Sequence, residues 1–263
     1  MCRERTVSLI HPTAIIDPSA VIADGVEIGP YSIIGPDVEI GPDCWIGPHV
    51  VITKLTTLGA GNKIYQFSSV GEDCQDKKYA GEPTRLIIGD NNVIREGCSI
   101  HRGTVQDEGV TIIGNNNLLM TCVHIAHDCV IGDNTIIASD AAIAGHVKID
   151  DWAIIGGASA VHQFCHIGAH AMCGGSTYVS KDVPAYLMVN GNPAQSHGIN
   201  SEGLKRRGFS PQGIASLRKA YKTVFRKGLR LDTALTELAQ LPESDELSVF
   251  IDSLKASTRG IVR

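Results

Sequence analysis

The sequence is poor in aromatic residues, with 5 Phe, 2 Trp and 6 Tyr among 263. So few rings leave little for stacking bases, and a formal net charge of −5 offers no general attraction to phosphate backbones. Nucleic acid is therefore excluded as the main partner. No apolar run approaches the ~18 residues of a membrane span, and Met1–Ile10 holds no signal-peptide core. The expectation is a cytoplasmic chain with no integral membrane segment. The 8 cysteines contain no CxxC pair, which removes the usual sequence mark of a zinc or redox site.

What the chain does have is a period of six. Ile10, Ile16, Ile22, Ile28, Ile34, Ile40, Ile46, Ile52, Leu58, Ile64 and Val70 form one run, and the phase returns at Ile88, Ile94 and Ile100. A second phase runs from Ile113 through Leu119, Ile125, Ile131, Ile137, Ile143, Ile149, Ile155, Val161, Ile167 and Cys173 to Val179. Neither a helical face nor strand alternation has this period; it is the mark of a parallel β-helix. Three hexads make one coil, with the large aliphatic pointing inward and a small residue two places earlier near the corner. Gly, Asn or Asp is expected at the turns, where positive φ is needed. Coils stack roughly 4.8 Å apart, so residues 18 apart lie above one another. Cys44, Cys98, Cys129 and Cys165 fall on the small-residue position and Cys173 on the aliphatic one, so they read as buried thiols filling space. The hexapeptide pattern resembles that of the hexapeptide acyltransferases, which implies a left-handed winding.

The fold expected is thus an all-β left-handed parallel β-helix of hexapeptide repeats over residues 1–190, followed by a small α-helical C-terminal domain over 191–263. Two polar stretches interrupt the repeats, GEDCQDKKYAGEPTR and RGTVQDEGVT, and predict loops at about 72–87 and 102–112. Polar loops on a rigid scaffold are where binding groups gather. In the tail, Ser210-Pro211 is an N-cap followed by proline at the first helical position. Ile214, Leu217, Ala220, Tyr221 and Val224 then share one face up to Gly228. Further helices are expected around Leu231–Leu241 and Ser244–Ala256. Charge divides at the same border: residues 1–199 hold 11 Lys+Arg against 21 Asp+Glu, whereas 200–263 hold 12 against 7. The stretch 203–230 carries nine cations and no acid, either a solvated face or a landing site for an acidic partner.

The histidines concentrate the chemistry. His124, His127, His146, His162 and His166 lie in or beside a few coils. By the 18-residue rule His146 sits one coil above Asp128, and His162 two coils above Ala126. His127, His146 and His162 therefore converge on one edge, with Asp128 beside them. Such a cluster suits a general base drawing a proton from a hydroxyl. It also suits a metal site, although the order AHDC favours a base with an adjacent carboxylate, and no Cys stands as a ligand. A solenoid that merely binds surfaces has no need of the cluster.

Here the residues match a family. LLMTCVHIAHDCVIG, AIAGHVKIDDWAIIGG, AVHQFCHIGAHAMCGG, CQDKKYAGEPTR, IHRGTVQ and NSEGLKRRGFS together resemble the UDP-N-acetylglucosamine O-acyltransferases that open lipid A biosynthesis in Gram-negative bacteria. The resemblance covers both loops and the tail. It implies transfer of a 3-hydroxyacyl chain from acyl carrier protein to the 3-hydroxyl of UDP-N-acetylglucosamine. No metal and no organic cofactor are implied, since the donor arrives on the phosphopantetheine of the carrier. His127 is then similar to the family's general base, Asp128 to its orienting partner and Gly145 to the N–H that holds the oxyanion. His124, His146, His162 and Gln163 resemble residues that bind sugar and donor. Gln75, Asp76, Lys78 and His101 resemble sugar-nucleotide contacts. Asn200, Glu202, Arg206 and Arg207 resemble uridine and phosphate contacts reaching over from a neighbouring subunit, which implies a homotrimer. Pro193 in GNPA stands where some relatives carry His, so that contact is lost here. Columns 138, 156, 174 and 139, 157, 175 read Ala, Gly, Gly and Ser, Gly, Gly. They predict an acyl-chain groove near the His cluster, with Gly157 and Gly175 in its floor and Met172 on its wall.

Overall fold

A computed structural model describes residues 10–263, so the leader-free start expected for Met1–Ile10 lies almost wholly outside the described residues. The chain is a left-handed parallel β-helix closed by helices. Its strands are mostly two residues long, and each pairs in parallel one coil on: Ile16 with Ile34, Ile34 with Ile52, Ile52 with Val70. Among the described residues three faces result, of nine, eight and ten strands. The first runs from Ile15–Ile16 to Tyr178–Val179, the second from Val21–Ile22 to His166–Ile167, and the third starts at Glu27–Ile28. From Ile28 to Val179 every repeated aliphatic is buried, while Ile10, at the start of the described residues, is 36% exposed. The residue after that aliphatic is often Gly for a steric reason. A Cβ on Gly29, Gly41 or Gly156 would come within 2.7 Å of backbone in the next coil.

The turns correct one expectation. The third residue after most inward aliphatics adopts positive φ, and Asp37, Asn91 and Asn134 fill it as anticipated. Tyr31, His49, Phe67, His146, Trp152, Phe164 and His170 fill it too. Such a residue costs roughly 1–2 kcal/mol, but rings one coil apart stack. Tyr31 lies 5.2 Å from His49, His49 lies 5.6 Å from Phe67, and His146 lies 4.3 Å from Phe164. Stacking worth about 0.5–1.5 kcal/mol offsets much of that cost.

Both interruptions leave the prism as loops. Val70 pairs with Ile100, 30 residues on rather than 18, and Ile100 pairs with Ile125, 25 on rather than 18. The loops are shorter than expected. Strands Arg85–Ile88 and Val110–Ile113 each extend to four residues and pair along their whole length, which leaves 73–84 and 102–109 outside. Cys44, Cys74, Cys98, Cys129, Cys165 and Cys173 are buried free thiols, whereas Cys122 is exposed on a corner.

The sheet continues past residue 190. Gln195–Ile199 runs antiparallel to Leu187–Asn190 on the third face and leads into helix α1, Ser201–Arg206. Helix α2, Pro211–Phe225, is capped by Ser210 and buries Ile214, Leu217, Ala220, Tyr221 and Val224. It stops short of Gly228, with Arg226 as its C-cap. Helices α3, Leu231–Leu238, and α4, Asp245–Lys255, follow. The buried Asp182 carboxylate pins the tail to the last coil, accepting from the His166, Thr258 and Arg259 amides and the Ser257 hydroxyl. Among the described residues no helix is long and apolar enough to cross a membrane.

Candidate active site

The corner between the first and second faces gathers the histidines. His127 Nδ1 lies 2.8 Å from Asp128 Oδ2. Asp128 occupies the positive-φ position, with φ 56°, which turns its side chain beneath the neighbouring imidazole. Its backbone N–H donates to Thr111 Oγ1 at 2.8 Å, and the Thr104 amide and hydroxyl donate to its two oxygens at 2.8 and 2.6 Å. Burial pushes the Asp128 carboxyl up, but the hydrogen bonds from His127 and Thr104 outweigh it and hold the group below its ordinary range. An ionised Asp128 accepts the Nδ1–H of His127, which leaves Nε2 as the free basic nitrogen. That nitrogen faces Gly145 one coil above. A Cβ there would stand 2.6 Å from His127 Nε2, so only glycine fits. The Gly145 N–H donates to no backbone or side-chain acceptor among the described residues.

The loops complete the corner. His146 packs edge-on against His127 with centroids 4.9 Å apart, and its Nδ1 lies 2.7 Å from Asp107 Oδ2 of the second loop. Arg102, at the root of that loop, is fully buried. It donates to the Gly71 carbonyl, the Asp73 carboxylate and, at 3.0 Å, the Tyr79 hydroxyl. One guanidinium thus anchors the base of the first loop, whose Gln75 amide lies 3.5 Å from His101 Nε2. His101 packs edge-on against His124, which pairs with Ser99 Oγ at 2.8 Å. Burial first, then the neighbouring histidine, lowers His101 to about 4 and lowers His124 as well. Both rings are neutral near pH 7 and offer one donor and one acceptor each.

His127 stands between two clefts. One, of about 540 Å³, runs up the first face from Gln75, His101 and His124 past Ala142 and Ala160 to Tyr178. Its walls are mainly apolar, because the outward residues of two successive coils, Ala142 and Ala160, are small. The other, of about 500 Å³, is polar and bounded by Asp76, Lys78, Gln106, Asp107 and His146. Gln163 and Asp76 border both, and His162 borders the first. Every expected residue of the first loop and the histidine corner is therefore brought together. Thr104, Asp107, Arg102 and Tyr178 were missed. The second loop was legible as an interruption, but nothing in its spacing says which hydroxyl meets which carboxylate.

Other expected residues lie elsewhere in the chain. Gly157 and Gly175 are on the corner between the third and first faces, and Met172 faces outward on the third. The glycine columns therefore do not start beside His127. They form the opposite edge of the face that carries Ala142 and Ala160. Asn200 caps α1, accepting from the Gly203 amide and donating to the His170 carbonyl. Glu202 pairs with Lys205 at 2.7 Å. Arg206 is exposed, and Arg207 lies over the Trp152 ring, with its Nη1 3.1 Å from His170 Nδ1. This group belongs to the corner between the second and third faces and does not reach His127 of its own chain. His166 is separate too, on the second face, paired with Asp150 at 2.8 Å. His127, Asp128 and His146 also offer three potential metal ligands within 4.8 Å of one another. In the structure both imidazole Nδ1 atoms lie against carboxylates instead.

Comparison with known proteins locates this arrangement. Residues 182–262 match the family described as UDP-N-acetylglucosamine O-acyltransferase, domain 2, and residues 8–41 and 111–145 match the bacterial transferase hexapeptide repeat. The acyl-[acyl-carrier-protein]–UDP-N-acetylglucosamine O-acyltransferase of Saccharophagus degradans is 55% identical over 98% of this chain and 100% of its own length. That of Ectopseudomonas mendocina is 59% identical over the same shares. The solved structure of the UDP-N-acetylglucosamine O-acyltransferase from Moraxella catarrhalis superposes with a TM-score of 0.95 at 54% identity, covering 97% of this chain and 100% of that one.

Proposed function

This chain belongs to the acyl-[acyl-carrier-protein]–UDP-N-acetylglucosamine O-acyltransferase family and catalyses that transfer, the first step of lipid A biosynthesis; we propose that His127 is its general base. His127 Nε2 takes the proton of the sugar 3-hydroxyl as the oxygen attacks the thioester carbonyl of a 3-hydroxyacyl carrier protein. A sugar hydroxyl is far too weak an acid to attack without such a base. The Gly145 N–H holds the oxyanion that forms, a contact of a kind worth ~10²–10³ in rate. Collapse breaks the carbon–sulfur bond, and the imidazolium returns its proton to the departing phosphopantetheine thiolate. The single observation that carries this reading is the buried Asp128 carboxylate, held by two donors of Thr104 and aimed at His127 Nδ1.

The clefts divide the substrates. The polar one, between Asp76, Lys78, Asp107 and His146, suits the sugar hydroxyls. The apolar one suits the acyl chain, running from His127 over Ala142 and Ala160 toward the Gly157 and Gly175 edge. The diphosphate needs cations, and Arg206 and Arg207 lie on a different corner from His127. A homotrimer answers this by bringing one chain's Arg corner to the next chain's His corner. The exposed Arg218, Lys219 and Lys222 of α2 offer a surface for the acidic carrier protein. The transfer then needs no bound metal or organic cofactor.

The test is purified protein with radiolabelled UDP-N-acetylglucosamine and a panel of acyl carrier protein thioesters, with and without EDTA. Labelled acylated sugar in both arms supports the reading. Loss of product with EDTA would move the His127, Asp128 and His146 cluster to a metal role.

A further inference from the structure

The second loop does more than border a cleft. It enters the site as Arg102-Gly103-Thr104, and each residue has a separate task. Arg102 is buried and faces back to the first loop. Gly103 allows the chain to pass close to Asp128: a Cβ on it would stand 2.7 Å from Asp128 Oδ1 and 2.2 Å from the Val110 amide nitrogen. Thr104 then delivers two donors to one carboxylate, its amide to Oδ1 at 2.8 Å and its hydroxyl to Oδ2 at 2.6 Å. Thr104 is 2% exposed, and Asp128 is 5% exposed.

We propose that Thr104 is a positioning residue of the transfer, acting through Asp128 to fix the tautomer and tilt of His127. Asp128 Oδ2 faces three groups: Thr104 Oγ1 at 2.6 Å, His127 Nδ1 at 2.8 Å and His146 Nδ1 at 3.9 Å. Two histidines thus compete for one oxygen. With Thr104 bound to both oxygens, the carboxylate plane is set, and Oδ2 meets His127 rather than His146. His146 is drawn the other way by Asp107 at 2.7 Å. Without the hydroxyl only the Thr104 amide holds the carboxylate, through Oδ1, so Oδ2 can swing toward His146 and weaken the bond that keeps the His127 proton on Nδ1. Hydrogen bonds to the charged form also keep a buried carboxylate ionised, so Thr104 has a second effect through the same contacts. The inference rests on His127 being the base.

The experiment compares Thr104→Val with Thr104→Ser, alongside His127→Ala, in the acyl-transfer assay across pH. Valine keeps the volume and loses the hydroxyl. It should lower kcat by roughly 10- to 100-fold, a part of what a general base supplies. The KM for the sugar nucleotide should stay within about twofold, the sign of a loss confined to the transition state. The acidic limb of kcat should move to higher pH, because Asp128 loses a donor that favours its charged form. Serine should restore both rate and limb. A variant that is merely less stable lowers active protein without moving the limb. Should Thr104→Val fail to fold, Thr104→Ala carries the same test. Inactive His127→Ala with wild-type kcat and pH profile for Thr104→Val or Thr104→Ala would overturn the role of Thr104 alone. A His127→Ala enzyme retaining its rate would overturn both readings.

Discussion

Two corners of the prism use one backbone and do different things. Asp128, His146 and Phe164 line one; Asn134, Trp152 and His170 line another; all six have φ between 56° and 65°. Each set stands on successive coils 18 residues apart. The Trp152 corner spends its rings on stacking, with His170 between Trp152 at 6.2 Å and Tyr186 at 5.5 Å, and it receives Arg207 from the tail. The Asp128 corner receives both loops, and with them Thr104, Asp107, Gln75 and Asp76. A repeat can offer the same position many times; what leans over it decides which copy becomes a site.

The largest effect that would sharpen this contrast is at Gly145. Gly145→Ala keeps the N–H but puts a methyl 2.6 Å from the His127 ring, and by displacing the base it should cut turnover by ~10²-fold or more, the scale of lost general-base catalysis. Gly157→Ala meets the Ser139 carbonyl oxygen at a more tolerable 3.1 Å on the opposite edge of the face. It should cost far less, as the kcat of the two purified variants will show. Equal losses would mean that small residues serve only coil spacing.

Next in size is Arg102→Met, which removes a buried cation tying the second loop to the first. Asp73 and the Gly71 carbonyl each lose a charged donor, although Tyr79 still donates to the first and Thr53 to the second. A hydrogen bond to a charged group is worth about 1.5–3 kcal/mol. Asp73 is itself half exposed, which lowers the expected loss toward the small end. Thermal unfolding reads the cost, and the KM for the sugar nucleotide should rise as the first loop loosens. A wild-type Tm and KM would show the loops to be independent.

The pH dependence of stability is where the two corners behave alike. His101 in the active cleft and His170 on the aromatic corner are each lowered to about 4 by burial, against about 6.5 when unfolded. The unfolded chain therefore binds more protons than the folded one between these values, and stability falls as pH drops from about 6.5 toward 4. His166, raised by its bond to Asp150, works in the opposite sense and offsets part of this. Calorimetry from pH 7.5 to 4.5 should show a falling Tm, and a flat one would contradict the buried neutral rings.

The smallest effects concern the exposed cations. Reversing Arg218 and Lys222 to Glu should raise the KM for the carrier-bound donor severalfold, more at low salt, since exposed charges are screened within about 8–10 Å. The KM for the sugar nucleotide should hold. Matching changes in both would remove α2 as the docking surface.

Much of this was legible in the chain before its structure. The inward column from Ile28 to Val179, both departures from the prism and the meeting of His127 with His146 follow from counting by six and eighteen. Counting ends where the chain leaves the repeat. No period connects Thr104 to Asp128 or Arg102 to Tyr79, because loop contacts depend on closure rather than on stacking. Counting also misplaced the glycine columns. Positions 139, 157 and 175 are near His127 in stacking height, yet they turn the corner one face earlier. Aromatic residues at the left-handed turns escaped notice because propensity penalises each ring alone, while the stack of rings repays them together.

The most direct measurement is the turnover of His127→Ala beside its Tm and oligomeric state. The ring is partly exposed at the cleft and outside the aliphatic column, so folding and assembly should match the parent protein. Turnover should fall by ~10²–10⁴, as expected for the loss of a general base. A variant that folds normally and keeps more than about a tenth of the rate would contradict the account, because a base worth that much could not then be His127.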